Sequence, residues 1–287
     1  MIYGDQKDSD ILHYHTDFLI KAVDLVGKSY EGEQASLVQT TYLNLLRRIK
    51  CSLMGISAQL NYWPVKGEYK VPISLLFRAC ITDTLLLLYL KTIEMHPTAF
   101  EAEIQLLDKP YVKFVKEFIE SGGISPDPVD IDTHLQTLHE AATNAGILDR
   151  AWPDFHQKTA SNIRGPKQNS PLLINDELYG RELAPKTQQM HLENTPDFAN
   201  LANAYWLYRY FSQHEHYAPA NSRFIHTTQL FDCLQWYKAL IIVFEATRLI
   251  SASLDAPRDF LQDVYDATGN LTVRLAEHYQ EAGSSEM

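Results

Sequence analysis

Cysteine, basic charge and long uninterrupted apolar runs are all scarce in this chain, and each scarcity excludes a class of protein. Cys51, Cys80 and Cys233 are the only cysteines among 287 residues. They are odd in number, far apart and flanked by apolar residues, so neither a disulfide framework nor a zinc site is indicated. They read as core residues in a reducing compartment. Lys and Arg total 25 against 36 Asp and Glu, a net charge of −11, which argues against a general nucleic-acid or membrane coat and leaves room only for a local basic groove. No apolar run is longer than Leu85 to Leu90, which lies between Asp83 and Lys91 and is far below the roughly 20 residues that a membrane span needs. The start, Met-Ile-Tyr-Gly-Asp-Gln-Lys-Asp, has no apolar stretch followed by a small-residue cleavage site, so no signal peptide is expected. The expectation is a soluble, cytoplasmic protein with no membrane partner.

Catalytic signatures are missing too. There is no Gly-rich phosphate loop, no Gly-x-Ser-x-Gly elbow, no His-Glu-x-x-His segment and no Glu-x-x-His pattern of a di-iron bundle. No cofactor and no metal are expected.

What is present is helical periodicity over a 45% apolar, 11% aromatic composition, enough for a proper core. Ile11, Tyr14, Phe18, Leu19, Ala22, Leu25 and Val26 mark a first amphipathic helix that ends at Gly27. A second runs from about Glu33 to Tyr62 and is stopped by Pro64. The third opens with Pro72 in its first turn and continues to about Met95, apolar almost all round between Ile81 and Leu90, as a central helix should be. Residues 97–120 form one helix or two broken near Pro110, then a Gly- and Pro-rich loop precedes a modest helix from about Ile131 to Asn144. Periodicity fades from about 149 to 193, an irregular excursion, and returns in helices over about 194–217, 224–251 and 257–281. No strand pattern of useful length and no internal repeat appears. The chain is thus expected to be all-α, an antiparallel bundle of about seven helices, in a single domain over 1–287.

One segment carries most of the titratable chemistry: Tyr205-Trp206-Leu207-Tyr208-Arg209-Tyr210-Phe211-Ser212-Gln213-His214-Glu215-His216-Tyr217. On a helix, Arg209, Ser212 and His216 fall within about 60° of one stripe, whereas His214 is turned well round towards Tyr210. An imidazole beside a fixed guanidinium is the minimum apparatus for cutting RNA without metal, the histidine moving protons and the arginine steadying the phosphorane charge. The competing structural role is plain: an Arg and a His near a helix C-terminus also serve simply to satisfy helix carbonyls and nearby carboxylates.

An arginine followed after four to six residues by a histidine, late in an all-helical domain, resembles the signature of the HEPN superfamily. Both Arg209 to His214 and Arg209 to His216 have that spacing. The run Tyr-Arg-Tyr-Phe-Ser-x-x-x-His is also similar to a mainly bacterial, HEPN-like branch in which an earlier apolar helix carries an arginine, as Pro72-Ile-Ser-Leu-Leu-Phe-Arg78-Ala-Cys-Ile-Thr-Asp83 does here. The resemblance implies a metal-independent endoribonuclease acting on RNA, built as a homodimer, with Arg209 and His216 catalytic and Ser212 and His214 in support. Arg78, Asp83 and Tyr210 would support the pocket. Two positions depart from the pattern. Tyr210 follows the arginine where HEPN nucleases usually carry Asn, Asp or His, and Thr82 stands four after Arg78 where an acid is usual, with Asp83 next to it. Arg78 therefore has two readings, a pair with an acid from another helix or a place in the same pocket as Arg209. The rival to an enzyme is a non-catalytic helical module that binds a protein partner or nucleotide.

Other clusters are set aside or given a lesser part. His13, His15 and Asp17 alternate, as do His214 and His216, and alternation points imidazoles apart on a helix, so neither pair grips a metal. Lys158, Arg164 and Lys167 stand near Trp152, Phe155 and His156, a basic and aromatic mixture suited to RNA contact or to a plain solvated loop. Arg47, Arg48 and Lys50 read as one exposed face of the second helix.

Overall fold

A computed structural model describes residues 6–28, 30, 35–107, 173–174, 177–178, 185–215, 227–256 and 258–284. The chain is all-α in architecture, as the periodicity implies. Among the described residues the helices are α1 (Gln6–Lys28), α2 (Leu37–Leu60), α3 (Lys70–Ile93), α4 (Pro97–Leu107), α5 (Pro185–Glu193), α6 (Ala204–Ser212), α7 (Gln229–Ser251) and α8 (Arg258–Ser284). Short 3-10 turns at Gly67–Tyr69 and Pro196–Asn203 precede α3 and α6. The one extended element described is a two-residue antiparallel ladder, Leu173–Ile174 against Glu177–Leu178. The expected helices over 110–120 and 131–144 lie outside the described residues.

The chain divides into two compact units, residues 1–91 with 196–287, and residues 92–195. In the first, α1 packs on α2 and α7, α8 packs on α7 and α1, and α6 packs on α7. The second contains α4, the ladder and α5, with Thr92 Oγ1 at 2.7 Å from His191 Nε2.

Local rules explain the helix limits. Ser36 accepts from the Gln39 amide while its own amide donates to Gln39 Oε1, a complete capping box that starts α2 four residues later than periodicity alone suggests. Thr228 caps α7 in the same way through the Phe231 amide. The helix expected from 194 begins instead as a 3-10 turn and becomes α-helical only at Ala204; Pro196 supplies no amide and Asn203 makes no side-chain cap.

α3 and α7 form the interior of the first unit. Phe77, Ile81, Leu85 and Leu88 of α3 are fully buried, as are Trp236, Tyr237, Leu240 and Phe244 of α7. Trp63 meets Trp236 edge-on at 4.8 Å, and Phe77 stacks on both Trp236 and Phe211. Each such side chain contributes roughly 1.5–3 kcal/mol by leaving water, and the Phe77–Phe211 stack fixes α6 against the core. By length and composition the stretch Gly67–Ile93 is apolar enough to cross a bilayer, with 56% of its most apolar window buried inside the protein. Counting only the uninterrupted run from Leu85 misses this. Buried polar side chains on the same helix, Lys70, Ser74, Asp83 and Thr84, fit a helix packed within a bundle.

One expectation needs correction: Cys51 is exposed, and only Cys80 and Cys233 are buried. On α2, Arg47 and Arg48 are exposed and Lys50 is half-buried, and Arg48 and Lys50 each hold a carboxylate, Asp83 and Asp24 respectively.

Candidate functional site

α6 is amphipathic, and its two faces do different things. Leu207 and Phe211 are buried, 6% and 0% exposed. The other face carries four large side chains in a row of contacts. Tyr205 lies 5.9 Å from Trp206 and stacks on Tyr208 at 6.0 Å. The Arg209 guanidinium sits 6.0 Å from the Trp206 ring, and the Arg78 guanidinium, reaching over from α3, sits 5.4 Å from the Tyr208 ring. The result is a strip in the order Arg209, Trp206, Tyr205, Tyr208, Arg78. Trp206 is 59% exposed, and Arg209 is exposed beside it.

Arg78 does more than cover a ring. Its Nε donates to Ser212 Oγ at 3.0 Å and its Nη2 lies 2.8 Å from Glu215 Oε2, in the turn after α6. Ser212 Oγ in turn donates to the Tyr208 carbonyl at 2.7 Å. So the acid that Arg78 meets comes from the α6 segment, and the same segment supplies the ring under its guanidinium. Arg78 is thus ion-paired with an acid from outside its own helix.

The remaining predicted residues scatter. Asp83, 6% exposed, faces Arg48 of α2, with Nε at 3.2 and 3.1 Å from its two oxygens and Nη2 at 3.1 Å. Burial raises the Asp83 carboxyl, and the Arg48 hydrogen bonds and charge counter that rise. It supports the α2–α3 packing and not the strip. Tyr210 donates its hydroxyl to Asp232 Oδ1 at 3.3 Å and packs edge-on against Phe231. His214 is half-buried with its ring edge-on to Tyr210 at 5.7 Å. Burial, and then the charge of Lys70, lower its pKa to about 4, leaving it neutral at neutral pH. His216, Lys158, Arg164 and Lys167 lie outside the described residues, so the expected one-stripe geometry of Arg209, Ser212 and His216 is described only for its first two members.

Three further polar clusters belong to the same unit. Lys70 Nζ donates to Asp232 Oδ2 at 3.1 Å and to Thr227 Oγ1 at 2.8 Å. Asp8 Oδ1 accepts from Tyr237, His278 and both Nε and Nη2 of Arg274, all within 3.1 Å. Ser57 Oγ donates to Asp17 Oδ1 at 2.7 Å and lies 3.1 Å from His13 Nδ1. His15, by contrast, turns into the core against Phe244, so the alternating histidines of α1 do diverge. Among the described residues no group of three or more His, Cys, Asp or Glu side chains is placed to hold a metal.

Reasoning from sequence overlooks the aromatic strip and Glu215. The signal is available: Tyr205 to Tyr208 and Trp206 to Arg209 are each three apart, the spacing that brings side chains together on a helix. Compared with known proteins, the chain matches no family model, no curated protein and no solved structure.

Proposed function

We propose that the chain is a HEPN-like helical module that binds RNA or nucleotide on the outer strip of α6 without cleaving it. The observation that carries this is the alternation of cation and ring from Arg209 through Trp206, Tyr205 and Tyr208 to Arg78. Aromatic faces stack on bases of any sequence, and guanidinium groups beside them serve both the base faces and the phosphates. The net charge of −11 confines such binding to this local feature. Binding without cleavage is supported by how the neighbouring groups are used: Ser212 serves Arg78, Tyr210 serves Asp232, and His214 is shielded and weakly basic.

Fluorescence anisotropy of labelled single-stranded RNA tests it. Each stacked base contributes about 1–3 kcal/mol, so Trp206→Ala should weaken binding roughly fivefold to 150-fold. Equal affinity of Trp206→Ala and wild type would remove the proposal.

A second reading, a metal-independent endoribonuclease, is favoured by the exposure of Arg209, which leaves its guanidinium accessible to a phosphate. It requires His216 as proton carrier. RNA incubated with the protein in EDTA should then be cut by wild type and spared by Arg209→Ala and His216→Ala; no cleavage by wild type rules it out.

A further inference from the structure

We infer that Arg78 is the phosphate-binding residue of the α6 strip and that Glu215 is its built-in competitor, so that the preferred ligand is a nucleotide with a terminal phosphate monoester. This rests on the base-binding role proposed for the strip. The guanidinium of Arg78 is held from two sides by α6 itself, with Nε on Ser212 Oγ at 3.0 Å and its face on the Tyr208 ring at 5.4 Å. Neither contact involves Glu215. Removing the Glu215 carboxylate therefore leaves the guanidinium aimed where it is, with Nη2 turned to whatever anion replaces it.

The Glu215 contact has the properties of a displaceable one. Its Oε2 lies 2.8 Å from Nη2, but the side chains are 29% and 37% exposed, and Glu215 sits in the turn beyond the end of α6 instead of within a helix. An exposed ion pair of this sort is held weakly, because water screens it and two long side chains must be ordered. A phosphate monoester carries more charge than a carboxylate and offers three acceptor oxygens to a planar fork, so it out-competes Glu215 for the same nitrogen. A base stacked at the Tyr208 end of the strip would bring that phosphate to Arg78.

The test uses the full-length protein with adenosine 5′-monophosphate and adenosine as probes, followed by isothermal titration calorimetry. Wild type should bind the monophosphate more tightly than the nucleoside. Glu215→Gln keeps the shape and hydrogen-bonding capacity but removes the competing charge, and should tighten the monophosphate roughly two- to fivefold, the range of an exposed ion pair, with adenosine unchanged. Arg78→Gln should remove most of the advantage of the monophosphate over adenosine, and a circular dichroism spectrum and melting temperature matching wild type show that the variant is folded. If both probes bind wild type equally and Glu215→Gln changes neither, the strip binds bases and the phosphate assignment is wrong. If neither probe binds wild type or Glu215→Gln, the base-binding role fails and the inference with it.

Discussion

Lys70 and Asp232 form an ion pair 3.1 Å long whose side chains are each only 2% exposed. Lys70 is the first residue of α3 and Asp232 lies in the first turn of α7, so the pair ties the N-terminal ends of the two interior helices. Thr227 and Tyr210 donate to the other oxygen of Asp232, which extends the tie to α6. Burial raises the Asp232 carboxyl, and the Thr227, Lys70 and Tyr210 contacts offset part of that. Breaking such a pair from one side leaves a buried charge without compensation, at a cost of about 3–5 kcal/mol. Lys70→Met should lower unfolding free energy in urea by that amount, and Lys70→Met with Asp232→Leu should recover most of it. A double variant no better than the single one would show that the pair specifies geometry that apolar side chains cannot replace.

Asp8 is the node that joins α1, α7 and α8. Burial alone would raise its carboxyl, but hydrogen bonding and charge from His278, with hydrogen bonds from Tyr237 and Arg274, outweigh burial and hold it below the ordinary carboxylate value. A depressed carboxyl contributes stability that is present above the unfolded value of about 3.9 and is lost as pH falls through the folded one. Asp8→Asn should therefore be destabilised relative to wild type at pH 7, and the difference should shrink steadily below about pH 4, where the protonated carboxyl of wild type and the amide of the variant become alike. Urea titrations of both proteins from pH 7 to pH 3 measure it. A constant difference across that range would show that the carboxylate charge does not hold the node.

His214 works in the opposite direction. Burial and the Lys70 charge lower it to about 4, whereas the unfolded chain takes up a proton near pH 6.5. The unfolded state thus binds the proton first, and stability from the neutral ring is fully present above about pH 6.5 and declines towards about pH 4. His15 and His191 are lowered by burial as well and remain in a single variant. His214→Gln should consequently lose less stability than wild type between those two pH values. Parallel stability curves for the two proteins would place His214 in water.

How far the chain can be read in advance follows from which forces act locally. α1, α2, α3, α7 and α8 are legible because apolar residues such as Leu45, Ile49, Leu53 and Ile56 repeat at the helical period and stop signals such as Pro64 are local. The tight ends are less so: the capping box at Ser36 outcompetes the apolar pattern that begins at Glu33. In the candidate site, Arg78 and Arg209 stand out from sequence, but their grouping with Asp83 is not realised. Asp83 lies five residues after Arg78, which turns it to another side of α3, where Arg48 meets it. Long-range pairs such as Lys70 with Asp232 or Asp8 with Arg274 leave no periodic trace, because their partners are set by the packing of whole helices.

Two helical glycines separate local propensity from packing. A Cβ placed on Gly269 of α8 meets nothing within 4 Å, whereas one placed on Gly55 of α2 lies 2.8 Å from Leu76 Cδ1 and 3.3 Å from Cδ2. Glycine in a helix interior costs about 0.8–1.0 kcal/mol against alanine through backbone entropy, so Gly269→Ala should gain close to that amount. At Gly55 the same gain is opposed by contact with the Leu76 isobutyl group, which is flexible but belongs to the α2–α3 packing. Inserting a methyl there forces side-chain shifts that cost roughly 1–3 kcal/mol, which exceeds the propensity term, so Gly55→Ala should be destabilised or unchanged. Thermal melts of the two variants should therefore move apart, upward for Gly269→Ala and level or downward for Gly55→Ala. Upward shifts of equal size would show that Leu76 yields freely and that α2 and α3 do not depend on the close approach at Gly55.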